Sequence, residues 1–194
     1  MEGIGIDGFR AGGLYLRNYL CKKYSFAIPS RSSIKLIAQY GPIIDIGAGT
    51  GYWAKMLHDY GVDIVAYDKD ADLPFEARHY SKAKWFDVEL GHEDAIDEHS
   101  DRTLLMVWPE HEKPMAYNCA MKLKPGQHMI FVGECSGGCT GDEAFFELLG
   151  HLPFSDCMEE EDTENPVALF DVVHQLDIPK WWGVHDYLTI YRRK

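Results

Sequence analysis

Gly47, Gly49 and Gly51 alternate directly after the apolar run Ile43-Ile44-Asp45-Ile46, and the chemistry such a turn supports is the binding of a nucleotide or nucleoside. Glycine permits the sharp backbone turn and lets the main chain lie against a ligand with no Cβ between them, while the helix that follows points its unpaired N–H groups at the same place. A dinucleotide fingerprint spaces its glycines G-x-G-x-x-G, and the position of the third glycine is occupied here by Tyr52. The spacing G-x-G-x-G therefore points to a nucleoside without a pyrophosphate. The next apolar run, Val62 to Asp68, closes on an acid about 20 residues after the first glycine, where a carboxylate can accept from both ribose hydroxyls.

The string Asp45-Ile46-Gly47-Ala48-Gly49-Thr50-Gly51 resembles motif I of the class I S-adenosylmethionine-dependent methyltransferases, and the resemblance runs from about residue 40 to about residue 133. It implies an α/β fold with a doubly wound, mainly parallel seven-stranded sheet, an antiparallel final strand and an N-terminal helical lid. It also implies an enzyme whose cofactor is S-adenosylmethionine. Asp45, Gly47, Ala48, Gly49 and Gly51 then form the loop under the cofactor, and Asp68 takes the ribose. Asp87, closing a third strand expected over Ala83 to Asp87, takes the adenine amino group, and Lys69 and Phe86 flank the adenosine.

In this family the methyl acceptor enters at the end of strand four, which reads Val107-Trp108-Pro109-Glu110. Many amino-methylating members carry an Asn, Asp or Ser there, followed by two prolines and an aromatic residue. This chain departs from that pattern: Trp108 offers an indole donor and no acceptor, Pro109 matches one proline, and Glu110-His111 replace the rest. Methylation of a nucleobase amine is accordingly not expected. Trp108 either packs its ring against the acceptor or the sulfonium, as a cation–π contact, or is a core ring at a strand end. Methyl transfer from a sulfonium is an in-line displacement that needs alignment, desolvation and, for a protonated acceptor, removal of one proton. The catalytic candidates are Trp108, Glu110 and His111, with Glu134 and His185 as further possible bases. Tyr24, Phe26, Trp182 and His185 are candidates to enclose the substrate.

The elements that must position these groups can be read from the pattern. Residues 1–41 form a helical arm and residues 42–194 the core of a single methyltransferase domain. In the arm, Arg10 to Lys23 reads as a helix, Ser30 as the N-cap of a second, and Gly41-Pro42 as its stop. Strands four and five are expected at Thr103–Trp108 and Gln127–Val132, with a helix over Pro114–Lys122 between them. Thr140-Gly141-Asp142-Glu143 reads as a capping box opening a helix to about Leu149. Val172–Ile178 and Leu188–Arg192 are the last strands, and the acidic run Glu159 to Asp162 is a solvated loop.

A chain of 194 residues, 46% hydrophobic, has the size of one ordinary domain, and a formal charge of -12 argues against a broad phosphate-binding face. The expected partner is a small-molecule methyl acceptor rather than nucleic acid; the alternatives are a protein or RNA methyltransferase acting with a partner subunit, or a non-catalytic module that binds S-adenosylmethionine. No stretch approaches the roughly 20 apolar residues of a membrane helix, which leaves a cytoplasmic protein as the expectation. Five scattered cysteines do not make a disulfide framework, so reduced thiols are expected. Cys135 and Cys139 lack the second Cys or His pair that a four-ligand zinc site needs, and no metal is expected.

Overall fold

Alternating apolar and helical segments pair their strands in parallel, and this chain makes four such pairings among its first five strands before it reverses. The computed structural model describes residues 6–73, 83–151 and 168–194. Its strands are β1 (Ile43–Ile46), β2 (Ile64–Asp68), β3 (Glu89–Leu90), β4 (Thr103–Val107), β5 (His128–Gly133), β6 (Phe170–Asp177) and β7 (Tyr187–Arg193). They form one sheet in the order β3-β2-β1-β4-β5-β7-β6. The first five are parallel, and β7 runs antiparallel to both β5 and β6. The helices are α1 (Ile6–Lys23), α2 (Arg31–Ile37), α3 (Tyr52–Asp59), α4 (Ala95–Glu98), α5 (Met115–Lys122) and α6 (Glu143–Leu149).

Successive residues of a strand point to opposite faces, and here both faces are covered, which is why β1 is buried along its whole length. Ile43 packs with Ile34, Trp53 and Leu57 on one side, and Ile44 packs with Leu104, Met106 and Phe145 on the other. Burying each such side chain contributes about 1.5–3 kcal/mol. Ser30 caps α2 as expected: its Oγ accepts from Ser33 N at 3.0 Å, and Ser33 Oγ accepts from Ser30 N at 2.8 Å.

Two local expectations are corrected. Residues 83–87 do not form a strand, because Trp85 donates its backbone N–H to Thr50 O at 2.9 Å and its indole N–H to Lys23 O at 2.7 Å. Those bonds hold the segment against the glycine loop and the end of α1, and the sheet takes up Glu89–Leu90 instead, paired with Tyr67 and Asp68. The second concerns α6, whose cap is Asp142, accepting from Phe145 N at 3.0 Å. Thr140 instead donates its hydroxyl to Glu134 O. The acidic run 159–162 lies outside the described residues.

Gly51 opens α3 with φ +74°, and a Cβ there would sit 2.8 Å from Phe86 Cβ and 2.9 Å from Val88 Cγ2. Left-handed backbone and overpacking both penalise a side chain at this position. Gly51→Ala is expected to lose about 2–4 kcal/mol of stability in urea denaturation.

Candidate active site

The carboxyl ends of parallel strands converge, and the cavity they make is where an α/β sheet places a ligand. Here a cavity of about 540 Å³ lies beyond β1 to β4 and beneath the segment that follows α1. The glycine loop forms part of its wall. Gly47 N and Ala48 N donate to Tyr67 O at 2.9 and 3.0 Å, which ties the loop to β2. Gly47 has φ +78°, and a Cβ on it would meet Met115 Cε at 2.6 Å. Asp68, buried at the end of β2, accepts from Gly49 N at 2.8 Å and from Asp70 N at 2.9 Å.

Asp45 is 1% exposed yet lines the cavity, and its Oδ1 has no hydrogen-bond partner. Burial, and secondly the nearby Asp68 charge, push its carboxyl up to about 8. A buried carboxyl with an unsatisfied oxygen, set in a cavity wall beside a second acid, has the chemistry to pair with a cationic group such as an ammonium.

The roof is a strap of residues 23–27 whose carbonyls are taken up by side chains of the core. Trp85 Nε1 donates to Lys23 O at 2.7 Å, Thr50 Oγ1 donates to Tyr24 O, and Trp181 Nε1 donates to Phe26 O at 3.1 Å. Trp53 Nε1 donates to Ser25 Oγ at 3.1 Å and Ala27 O at 3.2 Å. Tyr24 stacks on Trp85 at 5.2 Å between ring centroids, and Phe26 stacks on Trp108 at 5.3 Å.

No family model matches this chain, and no curated protein does. Solved structures do. A mutant of MtNAS, described in complex with S-adenosylmethionine, superposes with a TM-score of 0.52 at 15% identity, over 96% of this chain and 65% of that one. The chain has the class I methyltransferase fold. A methyltransferase from Anabaena variabilis matches with a TM-score of 0.47 at 12% identity over 95% of each chain. TrmN from Thermus thermophilus matches with a TM-score of 0.45 at 13% identity, over 84% of this chain and 48% of that one. The chain thus spans less than two thirds of the length of MtNAS and of TrmN.

Within this methyltransferase fold the cavity gathers Asp45, Gly47, Ala48, Gly49, Asp68, Lys69, Trp108, Glu110 and His111, together with Tyr24 and Phe26 of the strap. Six residues singled out from the sequence are not in its wall, Glu134 among them. Gly51 packs against Phe86 and Val88 behind the loop. Phe86 lies against His58, with ring centroids 5.5 Å apart. Asp87 pairs with Lys84 at 2.9 Å with its side chain 89% exposed. Trp182 is 75% exposed, and it is Trp181 that turns inward to the strap. His185 reaches the buried carboxylate of Glu134 through its backbone N–H, at 2.8 Å.

Because β3 starts two residues beyond Asp87, its carboxyl end is Leu90, and Gly91, His92 and Glu93 enter the cavity where Asp87 was expected. Glu93 Oε1 accepts from Asn118 Nδ2 at 2.9 Å. A strand assignment beginning at Val88 would have pointed to it. Glu134 clamps two loops: its oxygens accept from Cys139 N and His185 N, each at 2.8 Å. Glu110 is held by Lys69, whose Nζ donates to both carboxylate oxygens at 2.8 and 2.9 Å, so that the pair bridges the ends of β2 and β4.

Trp108 has φ +53°, and its indole N–H donates to Asp186 Oδ1 at 2.7 Å. Asp186 was missed in the sequence, where a lone acid before the final strand carries no signal. Cys135 is disulfide-bonded, contrary to the expectation of reduced thiols, while Cys21, Cys119 and Cys139 are free. Among the described residues, no group of three or more His, Cys, Asp or Glu is arranged to hold a metal ion. Among them, too, no helix is long and apolar enough to cross a membrane.

Proposed function

We propose that this chain, read as one domain with residues 1–41 as its arm, is an S-adenosylmethionine-dependent methyltransferase acting on a small-molecule acceptor. The observation that carries the reading is the buried Asp45 carboxyl, with an unpartnered oxygen, in the wall of a cavity that Asp68 and the glycine loop also line. A cofactor with an ammonium group, a ribose and an adenine matches that set. Asp45 takes the ammonium, Asp68 the ribose hydroxyls, and Gly47 to Gly49 let the backbone approach closely. His92 and Glu93, at the end of β3, replace Asp87 as the residues at the adenine edge. The cavity volume of about 540 Å³ lies within the roughly 300–1,000 Å³ of small-molecule sites.

When bound, S-adenosylmethionine supplies a methyl group already activated on a sulfonium. The chain's own residues then have to align the acceptor, exclude water and accept a proton where the acceptor carries one. Phe26, Trp108, Pro109 and Met115 supply the apolar wall at the end of β4. Glu110 and His111 are the carboxylate and imidazole there, and Glu110 is ion-paired with Lys69 at 2.8 Å. The acceptor class is supported by the formal charge of -12, which disfavours a phosphate backbone.

The test uses cofactor labelled in its methyl group, incubated with the purified protein and, separately, the small-molecule, RNA and protein fractions of a cell extract. Label is expected in a small-molecule product. Label in RNA or protein would overturn the acceptor class, and label in none of the fractions would count against an active enzyme.

A further inference from the structure

A bulky residue in the left-handed backbone region costs about 1–2 kcal/mol and persists only where its surroundings over-determine it. Trp108 is such a residue, at φ +53°, and it stands where β4 ends at the cavity. Its backbone N–H donates to Val132 O at 2.8 Å, its ring stacks on Phe26 of the strap, and the Arg17 guanidinium lies 5.6 Å from the ring centroid. The remaining polar atom of the side chain, the indole N–H, is taken by Asp186.

We propose that Asp186 is a positioning residue: by holding the Trp108 indole it fixes the turn after β4 and, through the Trp108–Phe26 stack, seats the strap over the cofactor cavity. Asp186 is 0% exposed and does not line the cavity, so it acts through Trp108 rather than on a ligand. It is the residue immediately before β7, and its neighbour His185 is fixed to Glu134, so the oxygen that Trp108 meets is anchored to the sheet. Asp186 Oδ2 and Arg17 Nε are both buried without a hydrogen-bond partner, and the two charges attract. Arg17 belongs to α1, so the same carboxylate also draws the helix that leads into the strap. Burial raises the Asp186 carboxyl to about 6, with the Trp108 hydrogen bond opposing the rise.

This inference rests on the cofactor reading, and its test uses S-adenosylhomocysteine as the probe because that ligand needs no acceptor. Affinities and dissociation rates are measured for wild type, Asp186→Leu, Asp186→Asn, Trp108→Phe and the Asp186→Leu/Trp108→Phe double variant. Asp186→Leu and Trp108→Phe are each expected to weaken binding about tenfold through faster dissociation, and the double variant no further, because both remove one contact. Asp186→Asn keeps an acceptor for the indole and is expected to stay within about threefold of wild type. Additive losses, or unchanged affinity in Trp108→Phe, would overturn the proposal while leaving the cofactor reading standing. If Asp186→Leu fails to fold, the contrast between Asp186→Asn and Trp108→Phe decides. No binding by folded wild type would remove the cofactor reading, and this inference with it.

Discussion

Asp68→Ala is expected to weaken S-adenosylhomocysteine binding by at least about 100-fold while the protein remains folded. Hydrogen bonds to a charged acceptor contribute about 1.5–3 kcal/mol each, and on this reading Asp68 accepts from two ribose hydroxyls. The substitution also releases Gly49 N and Asp70 N, which the carboxylate now holds at 2.8 and 2.9 Å, so the glycine loop loses one of its ties to the end of β2. Both effects act in one direction. Asp68→Asn keeps an acceptor oxygen without the charge and is expected to fall between wild type and Asp68→Ala. Calorimetric titration beside a thermal melt separates loss of binding from loss of fold, and a change under about fivefold would exclude Asp68 from the ribose site.

The second large effect is a proton. The Asp45 carboxyl is raised from 3.8 to about 8 in the ligand-free fold, so between those values the folded chain holds a proton that the unfolded chain has released. Stability of the ligand-free protein therefore falls as pH rises from about 4 to about 8. A ligand ammonium placed against Asp45 reverses the balance and favours the carboxylate. Near pH 7 binding should then release close to one proton, and affinity should rise by up to about tenfold per pH unit between pH 6 and 7. The gain ends near pH 8, where Asp45 is already ionised and an α-ammonium begins to lose its own proton. Titrations in buffers of different ionisation enthalpy count the proton, and Asp45→Asn should abolish its release. Proton uptake, or none, would place the ammonium elsewhere.

The glycine-loop side of the cavity was legible in the sequence because its parts are local: a strand that ends in alternate glycines, then a strand that ends in an acid. Alternation of apolar and helical segments likewise conveyed the sheet. The third strand was misplaced because Trp85 and Phe86 make residues 83–87 as apolar as a strand. Their indole and ring contacts, to Lys23 O and to His58, are long-range and leave no periodic trace. Trp181 and Trp182 show the same limit. Adjacent identical side chains cannot be ranked by composition, and only the strap's geometry makes Trp181 the inward ring. The link from Trp108 to Asp186 spans 78 residues, and neither residue type announces it. Glu134 was visible as a carboxylate at a strand end, but its two backbone donors come from loops whose approach depends on the folded sheet.

The most direct test of the central claim is calorimetric titration of S-adenosylmethionine into the wild-type chain, with NADH titrated in parallel. Saturable binding of the adenosyl ligand at one site per chain, without binding of NADH, is the expected result. A folded protein that binds neither ligand, or that prefers NADH, would contradict it.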